Sequence, residues 1–248
     1  MSVVLFCNCA YAGIIAPRIR QPLLQALTTA ADVELVAVAD LCELAARRDP
    51  RLQACAESAK LTVVACFPRA VRGLFAAAGA PLPREGVTFV NMRAAGSAEE
   101  LLRQLPIPGS DHSRPQVPPA PVPAAGAWIP WFPVIDRERC RNCKQCLSFC
   151  LFGVYALGEN GRVEVRNPQK CKTNCPACAR ICPEIAIMFP KYTEAPITGA
   201  EVADEQVERQ KVKVNVQKML GDDVYAALAR RRQQARLRLL KRPPGVKD

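Results

Sequence analysis

Two stretches decide how this chain is read: Cys140-Arg-Asn-Cys143-Lys-Gln-Cys146-Leu-Ser-Phe-Cys150 and Cys171-Lys-Thr-Asn-Cys175-Pro-Ala-Cys178-Ala-Arg-Ile-Cys182-Pro183. The first is C-x2-C-x2-C-x3-C and the second C-x3-C-x2-C-x3-C-P. Cysteines two residues apart wrap the chain tightly, so three thiolates reach one face of a small inorganic cube. The fourth cysteine lies a helical turn further on and points elsewhere. Zinc is the competing chemistry, because four-cysteine zinc sites grip one ion with two C-x2–4-C pairs. The repeated triple-then-fourth spacing, ending in Cys-Pro, favours iron–sulfur. Between the runs, Val154 to Val165 carries Glu159-Asn160-Gly161 midway, and Asn-Gly predicts a tight hairpin turn.

Residues 134–192 resemble the bacterial-type dicluster ferredoxins on these two runs. The resemblance implies an α+β ferredoxin-like fold and two [4Fe–4S] clusters. In that family the fourth cysteine of each run serves the other run's cluster. Carried onto this sequence, Cys140, Cys143, Cys146 and Cys182 hold one cluster; Cys171, Cys175, Cys178 and Cys150 hold the other. There are two departures from the pattern. The second run has three residues between its first cysteines, and Leu151 stands where a proline usually follows the first run. Neither removes a ligand.

Working outward, residues 1–105 alternate two patterns. Short apolar, β-rich runs occur at Val3–Cys9, Val33–Cys42, Leu61–Phe67 and Val87–Met92. Helical stretches separate them at Arg18–Ala30, Arg47–Ala59 and Arg69–Ala78, and Ser97–Leu105 opens with a Ser97 cap and acids in its first turn. Continuous apolar runs suit strands buried on both faces, so the expectation is a small α/β domain with a parallel sheet. No glycine-rich fingerprint follows the first strand, so a dinucleotide is not indicated. Cys7, Cys9, Cys42 and Cys66 each fall at or near the C-terminal end of a predicted strand, the edge where open α/β sheets bind ligands. Cys55 falls mid-helix and reads as a small core residue.

Val3-Val-Leu-Phe-Cys7-Asn-Cys9, Ala39-Asp40-Leu41-Cys42 and Val63-Val-Ala-Cys66-Phe-Pro68-Arg69 resemble the N-terminal domain of the A subunit of heterodisulfide reductase. That family shows a Cys-x-Cys on its first strand, a cysteine after the second and Ala-Cys-x-Pro-Arg ending the third. The resemblance spans roughly residues 1–80 and implies membership of flavin-containing electron-transfer complexes. It also implies a third cluster at Cys7, Cys9, Cys42 and Cys66; the alternative is that these four are buried structural thiols. The family's flavin domain has no counterpart in these 248 residues, and Ala10 stands where a glycine is common.

Residues 106–133 hold nine prolines in twenty-eight positions and read as a semi-rigid Pro-rich linker, able to let a tethered module swing. His112, the sole histidine, lies there and reads as solvated. Residues 193–248 are expected to begin as a Pro/Gly-containing loop and to end in a basic helix from about Asp222 to Leu240. That helix reads as a solvated face, with docking of an acidic redox partner as the functional alternative.

Thirteen cysteines without a secretory leader point to a reducing compartment, so a soluble, cytoplasmic protein is expected, with no membrane span. The formal charge of +11 invites a nucleic-acid reading, but thiolate-bound clusters are anionic and reduce it. No nucleophile–base pair, paired catalytic carboxylates or phosphate loop is present. The expected function is one-electron relay, as a ferredoxin-like carrier or as a subunit of a larger flavin- or metal-containing oxidoreductase, not catalysis by the chain alone. Two rivals rank lower: an iron–sulfur regulator binding nucleic acid through its basic tail, and a thiol/disulfide-active reductase component.

Overall fold

A computed structural model describes residues 2–107 and 128–221, together with 223, 226–231 and 233. The N-terminal part is built from β1 (Ser2–Cys7), α1 (Pro17–Thr29), β2 (Val33–Val38), α2 (Leu41–Arg47), α3 (Pro50–Ala56), β3 (Leu61–Ala65), α4 (Pro68–Ala78), β4 (Val87–Asn91) and α5 (Ala98–Leu102). The four strands form one sheet in the order β2-β1-β3-β4, and every pairing is parallel. All five residues of β3 and the last four of β1 are buried, which is why these segments read as unbroken apolar runs.

The chain runs from β1 to β2 on one side and then crosses back to β3 on the other. The C-terminal ends of β1 and β3 therefore flank the point where the strand order reverses, the natural crevice of such a sheet.

The helix expected over Arg47–Ala59 is the shorter α3, and α2 (Leu41–Arg47) precedes it in a stretch where no helix is expected. Arg48 adopts the left-handed region (φ 51°) and ends α2, and the Asp49 carboxylate accepts from Arg51 N to start α3. Asp-Pro supplies a cap followed by a first-turn proline, which restarts a helix more readily than it continues one. Cys55 is buried in α3, in the ordinary core role expected. Ser97 caps α5 through Glu100 N.

The cysteine-rich part comprises β5 (Val134–Ile135), α6 (Gln145–Phe149), β6 (Tyr155–Leu157), β7 (Val163–Val165), a 3-10 turn (Pro168–Lys170), α7 (Ala177–Arg180) and β8 (Ile187–Met188). β5 and β8 pair antiparallel, and β6 and β7 form the expected hairpin. Beyond them lies α8 (Glu205–Leu220), within the stretch expected to start as a loop. Asp204 caps it, accepting from Gln206 N and Val207 N. Its exposed Val207 and Val214 leave no clean apolar stripe. It docks through Leu220, which is buried in the core of the cysteine-rich part with Val216 and Met219 against it, and through Arg209, which donates to Pro183 O (3.1 Å), and Arg139, which pairs with Glu205. Of the expected basic helix, residues 226–231 are helical and most of the rest lies outside the described residues.

The two parts interlock. Residues 108–127 of the Pro-rich segment, including His112, lie outside the described residues, but its end does not hang free: Trp131 and Phe132 are buried, and Phe132, Val134 and Met188 share the core of the α/β part. Arg69 pairs with Asp136 (2.9 Å) and donates to Ala200 O (2.7 Å) and Ile185 O (2.9 Å). Arg93 donates to Pro190 O (2.7 Å) and Tyr192 O (3.0 Å). At the described end of the segment read as a linker, two half-buried guanidiniums and a shared core hold the two parts together.

Gly73 lets α4 and β5 touch: a Cβ there would stand 2.5 Å from Val134 Cγ1. Gly73→Val should therefore lower stability by roughly 1–3 kcal/mol, seen as a lower urea midpoint of the anaerobic protein. An unchanged midpoint would mean that this contact gives way freely.

Candidate metal centres

The loops that carry the cysteines owe their shape to left-handed residues. Asn142 (φ 57°) and Asn174 (φ 60°) are residues that take this region cheaply, and Lys144 (φ 63°) joins them. Ile185 (φ 52°), three residues beyond Cys182, is β-branched and strained there, and its carbonyl is clamped by Arg69. Asn142 ties its loop to the hairpin, donating from Nδ2 to Gly161 O (3.0 Å) and accepting from Val163 N (2.9 Å). The hairpin, expected only as a spacer, buttresses the first run.

Two cavities follow, and each collects four cysteines. One, with about 400 Å³ of empty space including its mouth, is lined by Cys140, Cys143, Cys146 and Cys182. The other, about 660 Å³ on the same measure, is lined by Cys150, Cys171, Cys175 and Cys178. The fourth cysteine of each run therefore sits with the first three of the other. Among the described residues no three metal-binding side chains converge as they would on a single ion.

All thirteen cysteines are free thiols. Burial, reinforced by Cys182, pushes the Cys146 thiol up to about 12, and burial with Cys150 and Cys175 does the same to Cys171. Cys178 and Cys182 are also raised, chiefly by burial. Four thiolates gathered out of water need a cation, and the iron of a cubane supplies it, so this donor set fits an iron–sulfur group. Hydrogen bonds to sulfur are in place: Tyr155 OH donates to Cys178 Sγ (3.1 Å) and Ala186 N to Cys182 Sγ (3.4 Å).

A third group of thiols sits on the sheet edge. Cys7 ends β1, Cys9 follows it, Cys42 lies in the first turn of α2 and Cys66 follows β3. Cys7, Cys9 and Cys42 are buried and Cys66 is partly so. Cys9 takes the left-handed region (φ 49°), which turns the chain over the edge, and Leu41 N donates to Cys7 Sγ (3.2 Å). The four are neighbours electrostatically. Cys66 is pushed up to about 12 by burial and then by Cys9, and Cys42 is raised by burial, Asp40, Cys66 and Cys9, with Lys191 opposing. Asp40, fully buried, caps α2 by accepting from Cys42 N (3.0 Å) and Glu43 N (3.3 Å), and it pairs with Lys191. Sequence reasoning does not single out Lys191, Arg93 or Tyr155. Nothing in their neighbours distinguishes them from surface residues; the pairing of β4 with β3 brings Arg93 to the cysteines, and only the junction brings Lys191 there.

No family model matches the chain. An uncharacterized ferredoxin of Methanocaldococcus jannaschii is 52% identical over 63 residues, which are 25% of this chain and 42% of the relative. The PorD subunit of pyruvate synthase from the same organism is 36% identical over 62 residues, 25% of this chain and 70% of the relative. Its Thermotoga maritima counterpart is 33% identical over 69 residues, 28% of this chain and 68% of the relative. The matched part of this chain, about a quarter, equals the size of the cysteine-rich module, and the chain spans less than half the length of the first of these relatives. Through that module the chain belongs to the ferredoxin family of iron–sulfur electron-transfer proteins. Among the described residues no helix is long and apolar enough to cross a membrane.

Hydrogen bonds to cluster sulfur raise reduction potential. Tyr155→Phe should therefore lower the potential of one cluster only, by the worth of one hydrogen bond, about 1 kcal/mol, in a potentiometric titration followed by electron paramagnetic resonance. Equal movement of every cluster would rule out a local effect.

Proposed function

We propose that the chain is a fixed, multi-centre electron relay, with two [4Fe–4S] clusters in the ferredoxin module and a third on the edge of the α/β sheet. The observation that carries this is the sorting of eight cysteines into two cavities of four, each borrowing its last thiol from the other run. In the first centre Cys140, Cys143, Cys146 and Cys182 serve as ligands. In the second Cys150, Cys171, Cys175 and Cys178 do so. The four thiols Cys7, Cys9, Cys42 and Cys66 form the third set. Their grouping at the strand-order reversal, with two cations facing them, supports a charged occupant over ordinary core packing. When bound, such clusters each accept and release one electron; the residues of this chain hold them, exclude water and set their potentials.

The module boundaries follow the same reading: an α/β domain over 1–105 resembling the N-terminal domain of the heterodisulfide reductase family named above, a ferredoxin domain over 134–192, and a C-terminal extension. The tight junction favours a component that passes electrons along a fixed path over a carrier with a swinging head. Relatives that are subunits of pyruvate synthase support a place beside a larger oxidoreductase. A thiol–disulfide role is less well supported, since it needs a low-pKa, accessible thiol and burial pushes Cys66 the other way.

Anaerobically purified protein should hold about twelve irons per chain, measured together with acid-labile sulfide; about eight would remove the N-terminal cluster. The crosswise ligation has its own test. Cys143→Ala combined with Cys182→Ala should lose no more iron than either change alone, about four per chain. Cys143→Ala combined with Cys150→Ala should lose about eight. Additive loss in the first pair would overturn the assignment.

A further inference from the structure

The sheet edge that carries Cys7, Cys9, Cys42 and Cys66 is closed from outside by a strap of the ferredoxin module, residues 190–192. Lys191 enters from that strap with its side chain only 4% exposed and pairs with Asp40, whose side chain is 0% exposed. Lysine is almost never buried to this degree unless paired. The other Asp40 oxygen is already engaged by the first turn of α2, so the carboxylate cannot turn away. The strap is pinned by Arg93, which donates to the carbonyls on either side of Lys191 and stacks over Phe67 at 5.2 Å. Arg93 is itself within reach of the charges of Cys66, Cys9 and Cys42.

The ion pair sits at the cysteine site itself. Asp40 accepts from the backbone N of Cys42, so Lys191 bonds to the carboxylate that caps the turn carrying that thiol. Lys191 is close enough for its charge to be felt at Cys9 and Cys42.

We infer that Lys191 is the resident counter-cation of the N-terminal four-cysteine site, a positioning residue lent by the ferredoxin module whose charge favours the reduced state of that centre. This rests on the three-cluster reading above. One electron arriving from a ferredoxin cluster leaves the donor cluster oxidised and makes the thiolate-bound group one unit more negative. A fixed cation in a low-dielectric junction stabilises that form more than the oxidised one. Asp40 opposes it. The site is complete only when the two modules are docked, so its potential is tied to their junction.

The test uses full-length protein loaded anaerobically, with iron counted and potentials read by electron paramagnetic resonance. Lys191→Met should shift the N-terminal centre toward its oxidised state about tenfold at fixed potential, ~59 mV for one electron, and leave the other two in place. Asp40→Asn should shift it the opposite way, and Lys191→Arg should match the wild type. If Lys191→Met fails to fold, the remaining two variants decide. About twelve irons with an unmoved N-terminal potential, or with Met and Asn variants moving it in the same direction, overturns the Lys191 assignment alone. About eight irons in the wild type removes the N-terminal cluster and this inference with it.

Discussion

Charge taken out of water must be answered by opposite charge, and this protein is organised around that requirement. Burial raises the thiols of Cys146, Cys171, Cys178 and Cys182 in the cysteine-rich part and of Cys7, Cys9, Cys42 and Cys66 at the sheet edge, and so favours their protonated form unless a cation joins them. The same constraint explains the amides, the phenol and the two cations that face the sulfurs.

The junction between the modules extends this logic. Arg69 and Arg93 reach out of the α/β part and satisfy backbone carbonyls of the ferredoxin part, while Lys191 reaches back to Asp40. Carbonyls gathered around guanidiniums make a polar seam, and Phe132, Val134 and Met188 close it with a shared core. Two small modules, each with a modest core of its own, thereby become one body.

The relation to known ferredoxins covers the cysteine-rich quarter, and the physics of that quarter is general: two short cysteine runs, a hairpin and a pair of antiparallel two-residue strands. What surrounds it differs. The α/β part adds a sheet edge with its own thiols, and α8 lies along the loop after Cys182 through Arg209, Glu184 and Glu205.

Local rules are enough to find the strands of the α/β part, the Asn-Gly hairpin, the Ser97 cap and the eight module cysteines. Each depends on residues within one turn or one strand of each other. The crosswise sharing of Cys150 and Cys182 comes from a family rule and not from any pattern in the residues around them. The break between α2 and α3 is also local, written in Asp49-Pro50, but lies hidden beneath a helical pattern. Helix α8 escapes because its apolar contact is confined to its C-terminal end, at Val216, Met219 and Leu220, while a cap and ion pairs hold the rest. Only the tertiary structure decided that the Pro-rich segment ends in a packed junction. It alone also decided that Lys191 meets Asp40 across 151 residues of chain. No local pattern encodes such a pairing, because its energy exists only when both partners have lost their water.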